Sequence, residues 1–169
     1  MQNGDVVLRP FLMSDKHTLA KLCNNKKIWD NLRDYLPYPY SEDDANFFIN
    51  LCFNEKPIQN FAITYQDELV GTVGIIPQKD VYRLNAEIGY WIGEPFWGKG
   101  IATQAVKLMV TYGNKEFGII RFYAGVFDFN KASMRVLEKA GFSHEGIFKK
   151  AIFKNGTLSD EHRYGLVLE

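Results

Sequence analysis

The chain lacks a surplus of either charge. Its 169 residues carry 20 Lys and Arg against 20 Asp and Glu, which removes the overall electropositive footprint of a nucleic-acid-binding protein. Cysteine is scarce. Cys23 and Cys52 have neither metal-ligand spacing nor the density of a disulfide scaffold, and no metal site is expected. Both fall in helix-like stretches, where they read as small buried hydrophobes in a reducing compartment. No apolar run approaches the roughly 20 residues that span a bilayer. The opening MQNGDVVLRPF has no charged-then-apolar leader pattern. Repeats, linkers and low-complexity segments are missing as well. These absences predict a soluble, cytoplasmic protein that acts on neither nucleic acid nor membrane.

What is present is a hydrophobic fraction of 46% and an aromatic fraction of 15%, enough for one domain with a real core. Asp5 to Phe11 reads as a first strand. Ser14 is placed to cap a helix through about Asn24. KKIWDNLRDYLPYPY reads as a short helix and an irregular loop. Ser41 starts a clear helix: SEDD puts three acids in its first turn and FFINLCF supplies the buried face. Gln59 to Tyr65 and Leu69 to Pro77 pair as a hairpin, and Glu87 to Ile92 is a further strand. A helix from about Gly100 to Phe117, a strand at Arg121 to Val126 and a helix at Lys131 to Ala140 follow. Gly141 stands where a helix C-cap favours glycine, and the tail forms two strands around Asn155-Gly156. The order β, α, α, β, β, β, α, β, α, β, β predicts a single α/β domain, residues 1–169, with about four helices and a mixed, largely antiparallel sheet.

The chemically informative stretch is EPFWGKGIATQAV, Glu94 to Val106, where a strand gives way to a helix. A Walker A loop is excluded because position 100 is Gly rather than the Ser or Thr that holds magnesium. A dinucleotide fingerprint is disfavoured by Thr103 and by the position of the stretch after a hairpin, past mid-chain. A helix N-terminus approached directly by a phosphate remains, set against a plain tight turn. Gly98 and Gly100 leave the backbone N–H groups from Lys99 to Thr103 open, and the helix dipole favours an anion there.

The stretch resembles the coenzyme A pyrophosphate loop of the GNAT N-acetyltransferases, Gln/Arg-x-x-Gly-x-Gly/Ala, here Trp97-Gly98-Lys99-Gly100-Ile101-Ala102. Trp97 departs from the usual Gln or Arg but is typical of the branch that acetylates ribosomal-protein N-termini. Other signatures of that branch occur in order: LRPF (Leu8 to Phe11), LPYPYSEDDANFFI (Leu36 to Ile49), AEIGYWIGEPFWGKGIATQAV (Ala86 to Val106), NKASMRVLEKAGF (Asn130 to Phe142) and EGIFKKAIFKNGTLSDEHRYGLVL (Glu145 to Leu168). The resemblance covers nearly the whole chain.

It implies an acetyl-CoA-dependent N-acetyltransferase with two central strands splayed apart to admit the pantetheine arm. The backbone from Lys99 to Thr103 would hold the pyrophosphate. The strand ending at Tyr90-Trp91-Ile92 would pair with pantetheine, and Asn130 would hydrogen-bond one of its amides while also serving as a helix N-cap. Direct attack of an amine needs a proton acceptor, oxyanion donors and a proton for the departing thiolate. Ser133, one turn beyond Asn130, is the candidate for the thiolate, with Tyr164 a remoter one. The N–H near Ile92 is the oxyanion donor and Glu87 the candidate base, with His144 and a water chain as alternatives. His17 and His162 read as exposed. Alternation sets Glu87 with Gly89 and Trp91 on one strand face, opposite Ile88, Tyr90 and Ile92.

The acceptor is expected at Tyr35 to Asp44, among Tyr35, Tyr38 and Tyr40. Asp34, Glu42, Asp43 and Asp44 would suit a cationic amine, although for Asp43 and Asp44 the preferred reading is that of first-turn acids serving their own helix. A protein N-terminal α-amine is the favoured acceptor, against a polyamine or an amino-sugar. A non-catalytic CoA-binding module is the rival of another class. Homodimers are common among such proteins.

Overall fold

Side-chain alternation builds the sheet. Val6 and Leu8 turn inward while Val7 and Arg9 do not, so Val6–Arg9 (β2) has one buried face. The two-residue strand Gln2–Asn3 (β1) precedes it. The structure, a computed structural model, describes residues 1–169. Asn60–Tyr65 (β3) and Glu68–Pro77 (β4) form the expected hairpin, with Gln66 and Asp67 both at positive φ in its turn. Asn85–Ile92 (β5), Arg121–Phe127 (β6), Ser143–Lys154 (β7) and Thr157–Val167 (β8) complete eight strands in the order β1-β2-β3-β4-β5-β6-β8-β7. Every neighbouring pair is antiparallel except β5 and β6. The sheet is therefore mixed and largely antiparallel, as expected.

Five helices cover it. Lys16–Cys23 (α1), Lys26–Trp29 (α2) and Glu42–Phe53 (α3) precede β3; Ile101–Phe117 (α4) follows β5 and Lys131–Ala140 (α5) follows β6. α2 is a single turn, so four helices are of ordinary length. α3 opens with a capping box: the Ser41 hydroxyl accepts the Asp44 N–H, and the Asp44 carboxylate accepts the Ser41 N–H at 2.8 Å. α5 ends at Gly141 in the left-handed conformation.

Ser14 does not cap the first helix. Met13–Asp15 forms a 3-10 turn and α1 begins at Lys16. Asp15 organises the entrance instead: its carboxylate accepts the Leu12 N–H at 2.8 Å and both terminal nitrogens of Arg9 at 2.7 Å.

The sheet separates two cores. α4 and α5 bury Ile101, Met109 and Leu137 in a cluster with Ile75, Ile88 and Phe122 on one face. On the other, α1 and α3 close Leu19, Cys23, Ile49 and Cys52 over Ala62. Each of the larger side chains contributes about 1.5–3 kcal/mol by leaving water. No helix is long and apolar enough to cross a membrane. No group of three or more His, Cys, Asp or Glu is placed to hold a metal.

Candidate active site

The sheet is forked at its centre. β5 and β6 pair in parallel only at Asn85, Ala86 and Glu87, opposite Arg121, Phe122 and Tyr123. Beyond that point each strand keeps its outer partner: β5 follows β4 as far as Ile92, and β6 follows β8 as far as Phe127. The inner edges of both strands are left without a ladder. The Gly93 N–H donates to Val70 O at 2.7 Å on β4. Antiparallel alternation then turns the N–H groups of Tyr90 and Ile92 the other way, into the fork. A cleft of about 1220 Å³ runs through it, from the start of α4 to the α2–α3 loop.

At one mouth lies the glycine turn. Gly98 and Gly100 have φ of +77° and +74°, and a β-carbon on either would meet nothing within 4 Å. Glycine is required here by the backbone conformation and leaves open space outside it. Gly100 is the N-cap of α4, with no side chain to accept the orphan N–H groups and no acid in the first turn. The first intrahelical bond is Gln104 N–H to Gly100 O, so the six consecutive N–H groups from Gly98 to Thr103 have no acceptor within the protein. α3 is capped by a side chain and carries three acids in its first turn. α4 therefore presents bare N–H donors where α3 satisfies its own. The Trp97 indole N–H donates to Ile92 O at 2.6 Å, tying the turn to the end of β5. The Lys99 ammonium lies over the rings of Phe96 and Tyr65, 5.3 and 5.7 Å from their centroids.

Asn130 and Ser133 stand on the opposite wall, at the start of α5. Asn130 Oδ1 accepts the Ser133 N–H at 3.1 Å, which is the N-cap bond. Its Nδ2 makes no hydrogen bond within the protein, so only the acceptor end of the amide is used by the cap. Ser133 Oγ lies 2.8 Å from the Tyr90 hydroxyl, which also donates to Ser133 O at 3.2 Å. Burial pushes the Tyr90 phenol up against the smaller opposing effect of Ser133, so it stays protonated. Tyr90 thus holds Ser133 from across the fork. Sequence alternation placed Tyr90 on the correct strand face, but nothing in it pointed to this partner.

Glu87 is on β5 at the last paired position before the fork opens, on the same face as Gly89 and Trp91, as alternation predicted. Its carboxylate, 19% exposed, forms an ion pair with Arg33 from the loop after α2. The two residues are 54 apart in sequence, and Arg33 is the site residue that sequence reasoning missed.

The acidic loop is corrected in part. Of the four carboxylates from Asp34 to Asp44, only Asp44 lines the cleft, and Ser41 holds it below the usual carboxylate range as an N-cap partner. Asp34 accepts from Lys154 at 2.6 Å, and Glu42 pairs with His17 and Lys16 on the outside. Tyr35 and Tyr40 line the cleft and Tyr38 does not. Tyr164 is buried outside it and donates to Glu138 at 3.4 Å; His144 and His162 contact each other, 3.2 Å apart, on the β7–β8 hairpin. Burial pushes both cysteine thiols up to about 12, so neither supplies a thiolate nucleophile.

A forked mixed sheet thus leaves an open slot between two strands, with a bare helix N-terminus at its mouth. The chain belongs to the GNAT acetyltransferase family, whose domain matches residues 5–143, and it is an N-acetyltransferase. The N-acetyltransferase p20 of Bacillus licheniformis is 34% identical over 96% of this chain and 92% of its own length. The spermidine N(1)-acetyltransferase of Escherichia coli (strain K12) is 28% identical over 89% of this chain and 80% of its own. Among solved structures, RimL, a ribosomal L7/L12 alpha-N-protein acetyltransferase in complex with coenzyme A, superposes with a TM-score of 0.84. It is 26% identical, over 98% of this chain and 96% of its own.

Proposed function

We propose that the chain transfers the acetyl group of acetyl-CoA directly to a protein N-terminal α-amine. The run of six unpartnered N–H groups at the mouth of the fork carries the donor half of this reading. Those from Lys99 to Thr103, with Gly98, Ile101 and Ala102 supplying open backbone, take the pyrophosphate. The free fork edge from Tyr90 through Trp91 to Ile92 pairs with the pantetheine amides, and Asn130 Nδ2 donates to one of them. Trp97 keeps the turn and the strand end in register through Ile92 O.

In the transfer, the acceptor nitrogen bonds to the thioester carbonyl carbon and its proton passes to Glu87 or to water. The carbonyl oxygen becomes an oxyanion that accepts from the Ile92 N–H. The C–S bond then breaks, and Ser133, held by Tyr90, donates a hydrogen bond to the departing thiolate. Glu87 takes part as a base only once Arg33 has left it, because the guanidinium occupies the carboxylate where the acceptor amine must sit.

The acceptor half is supported by the resemblance to RimL along nearly the full chain and by the composition of the cleft. Only two carboxylates line it, Asp44 and Glu87, against six Lys and Arg, a poor match for a polyamine. The test is an acceptor screen read by mass spectrometry and by release of free CoA thiol, with N-terminal peptides beside spermidine. Acetylated peptide α-amine is the expected product. Transfer to spermidine with none to peptides would replace this acceptor with a polyamine.

A further inference from the structure

We infer, on the acetyltransferase reading of the cleft above, that the acceptor carries an anionic group beside its amine and that Arg33 binds that group. The Arg33 side chain is half exposed, at 52%, and its ion pair with Glu87 is its only side-chain hydrogen bond. Glu87 likewise has no second partner. A pair so isolated opens without orphaning any other group, provided each member finds a replacement. An acceptor ammonium replaces Arg33 on Glu87, and an acceptor anion replaces Glu87 on Arg33, so one ion pair becomes two. A simple monocation would leave the guanidinium unpaired beside it. A polycation would be repelled by it.

The rest of the cleft agrees. Asp44 is committed to the cap of α3 and Lys27 to Glu94. Arg33, whose one carboxylate partner is Glu87 itself, is therefore the cation at the acceptor end that an incoming ion pair can release, and no surplus carboxylate lines the cleft beside it. Asn31, two residues earlier, also lines the cleft. Its Oδ1 is buried without a hydrogen-bond partner. Because Arg33 and Glu87 touch, the two charges of the acceptor must be close neighbours. Two sources have this chemistry: the α-carboxylate of a free amino acid, or an acidic side chain in the first residues of a peptide.

The test compares kcat/KM for thiol release with matched acceptors: Ala-Asp and Ala-Lys peptides with amidated C-termini, a free amino acid and its amide, and spermidine. The wild type is expected to favour the acidic peptide over the basic one by about tenfold or more. Arg33→Glu is expected to reverse that order and Arg33→Gln to level it, both with unchanged CoA affinity as the check on folding. A free amino acid preferred over its amide and over the acidic peptide assigns the anion to an α-carboxylate; the reverse order assigns it to a side chain. A preference for spermidine or the basic peptide, or one that Arg33→Glu leaves unaltered, overturns the inference while thiol release keeps the acetyltransferase reading. No release with any amine overturns both.

Discussion

Replacing Gly100 by Ala separates the two reasons a glycine could stand there. Its φ is +74°, and an added β-carbon would meet nothing within 4 Å. Within the protein the cost is therefore only that of a left-handed alanine, about 1–2 kcal/mol, or roughly 2–8 °C in midpoint for a chain of this size. The donor faces a larger loss. The methyl group projects from the turn that carries the six unpartnered N–H groups. Displacing one phosphate oxygen from a charged hydrogen bond costs about 1.5–3 kcal/mol, which weakens the Kd about 10–150-fold. Gly118→Ala is the matched control. Gly118 caps the other end of α4 with φ of +66° and equally open space, far from the cleft. Thermal melts and calorimetric titration with CoA read both effects. The expected result is similar destabilisation in the two variants and lost affinity only in Gly100→Ala. CoA affinity within about threefold of wild type in Gly100→Ala would refute the reasoning and restore the plain turn.

Asn130→Asp keeps an N-cap acceptor and loses the free donor, so acetyl-CoA binding falls about tenfold with the melting point held. Asn130→Ala loses both, with about 1 kcal/mol of further destabilisation, read by the same two methods. Ser133→Ala lowers kcat about a hundredfold with KM for acetyl-CoA little changed. Tyr90→Phe lowers kcat about 2–10-fold, and the double variant falls no further than Ser133→Ala alone, which steady-state kinetics decides. Lys27 and then Asn25 hold Glu94 below its ordinary pKa, which ties α2 to the turn before α4. The folded value is below the unfolded one, so this stabilisation is complete above the unfolded pKa and is lost as pH falls through the folded one. The difference in melting point between wild type and Glu94→Gln is therefore expected in full at pH 7, to begin shrinking as pH falls through the unfolded value of about 4.3, and to be lost only below the depressed folded value.

Most of the scaffold was legible because it follows from local rules. Alternation located β3 to β6 to within a few residues, and the Ser41 box and Gly141 fixed helix ends through contacts three to five residues long. The turn at Gly98 and Gly100 and the N-cap at Asn130 were legible for the same reason, since each acts through its own backbone neighbourhood. The first helix misled because Asp15 serves the preceding strand through Arg9, leaving Ser14 in a 3-10 turn. What sequence could not show were pairs joined only by the fold. Arg33 meets Glu87, Tyr90 meets Ser133 across the fork, and Lys154 brings the β7–β8 tip onto Asp34 and over the Trp29 ring at 3.4 Å. Charged residues in a loop name no partner until the chain is closed, which is why the acidic run from Asp34 to Asp44 looked like an acceptor site while only one of its members faces the cleft.

Direct transfer from a donor held in the fork is tested most simply by mass balance. Protein, acetyl-CoA and an acidic N-terminal peptide are mixed, and acceptor, CoA and intact protein are weighed by mass spectrometry through the first turnovers. The predicted result is one acetyl group on the peptide α-amine for each CoA released, with the protein mass unchanged throughout. An acetylated protein that forms before the product and decays into it, on Cys23, Cys52 or elsewhere, would contradict direct transfer.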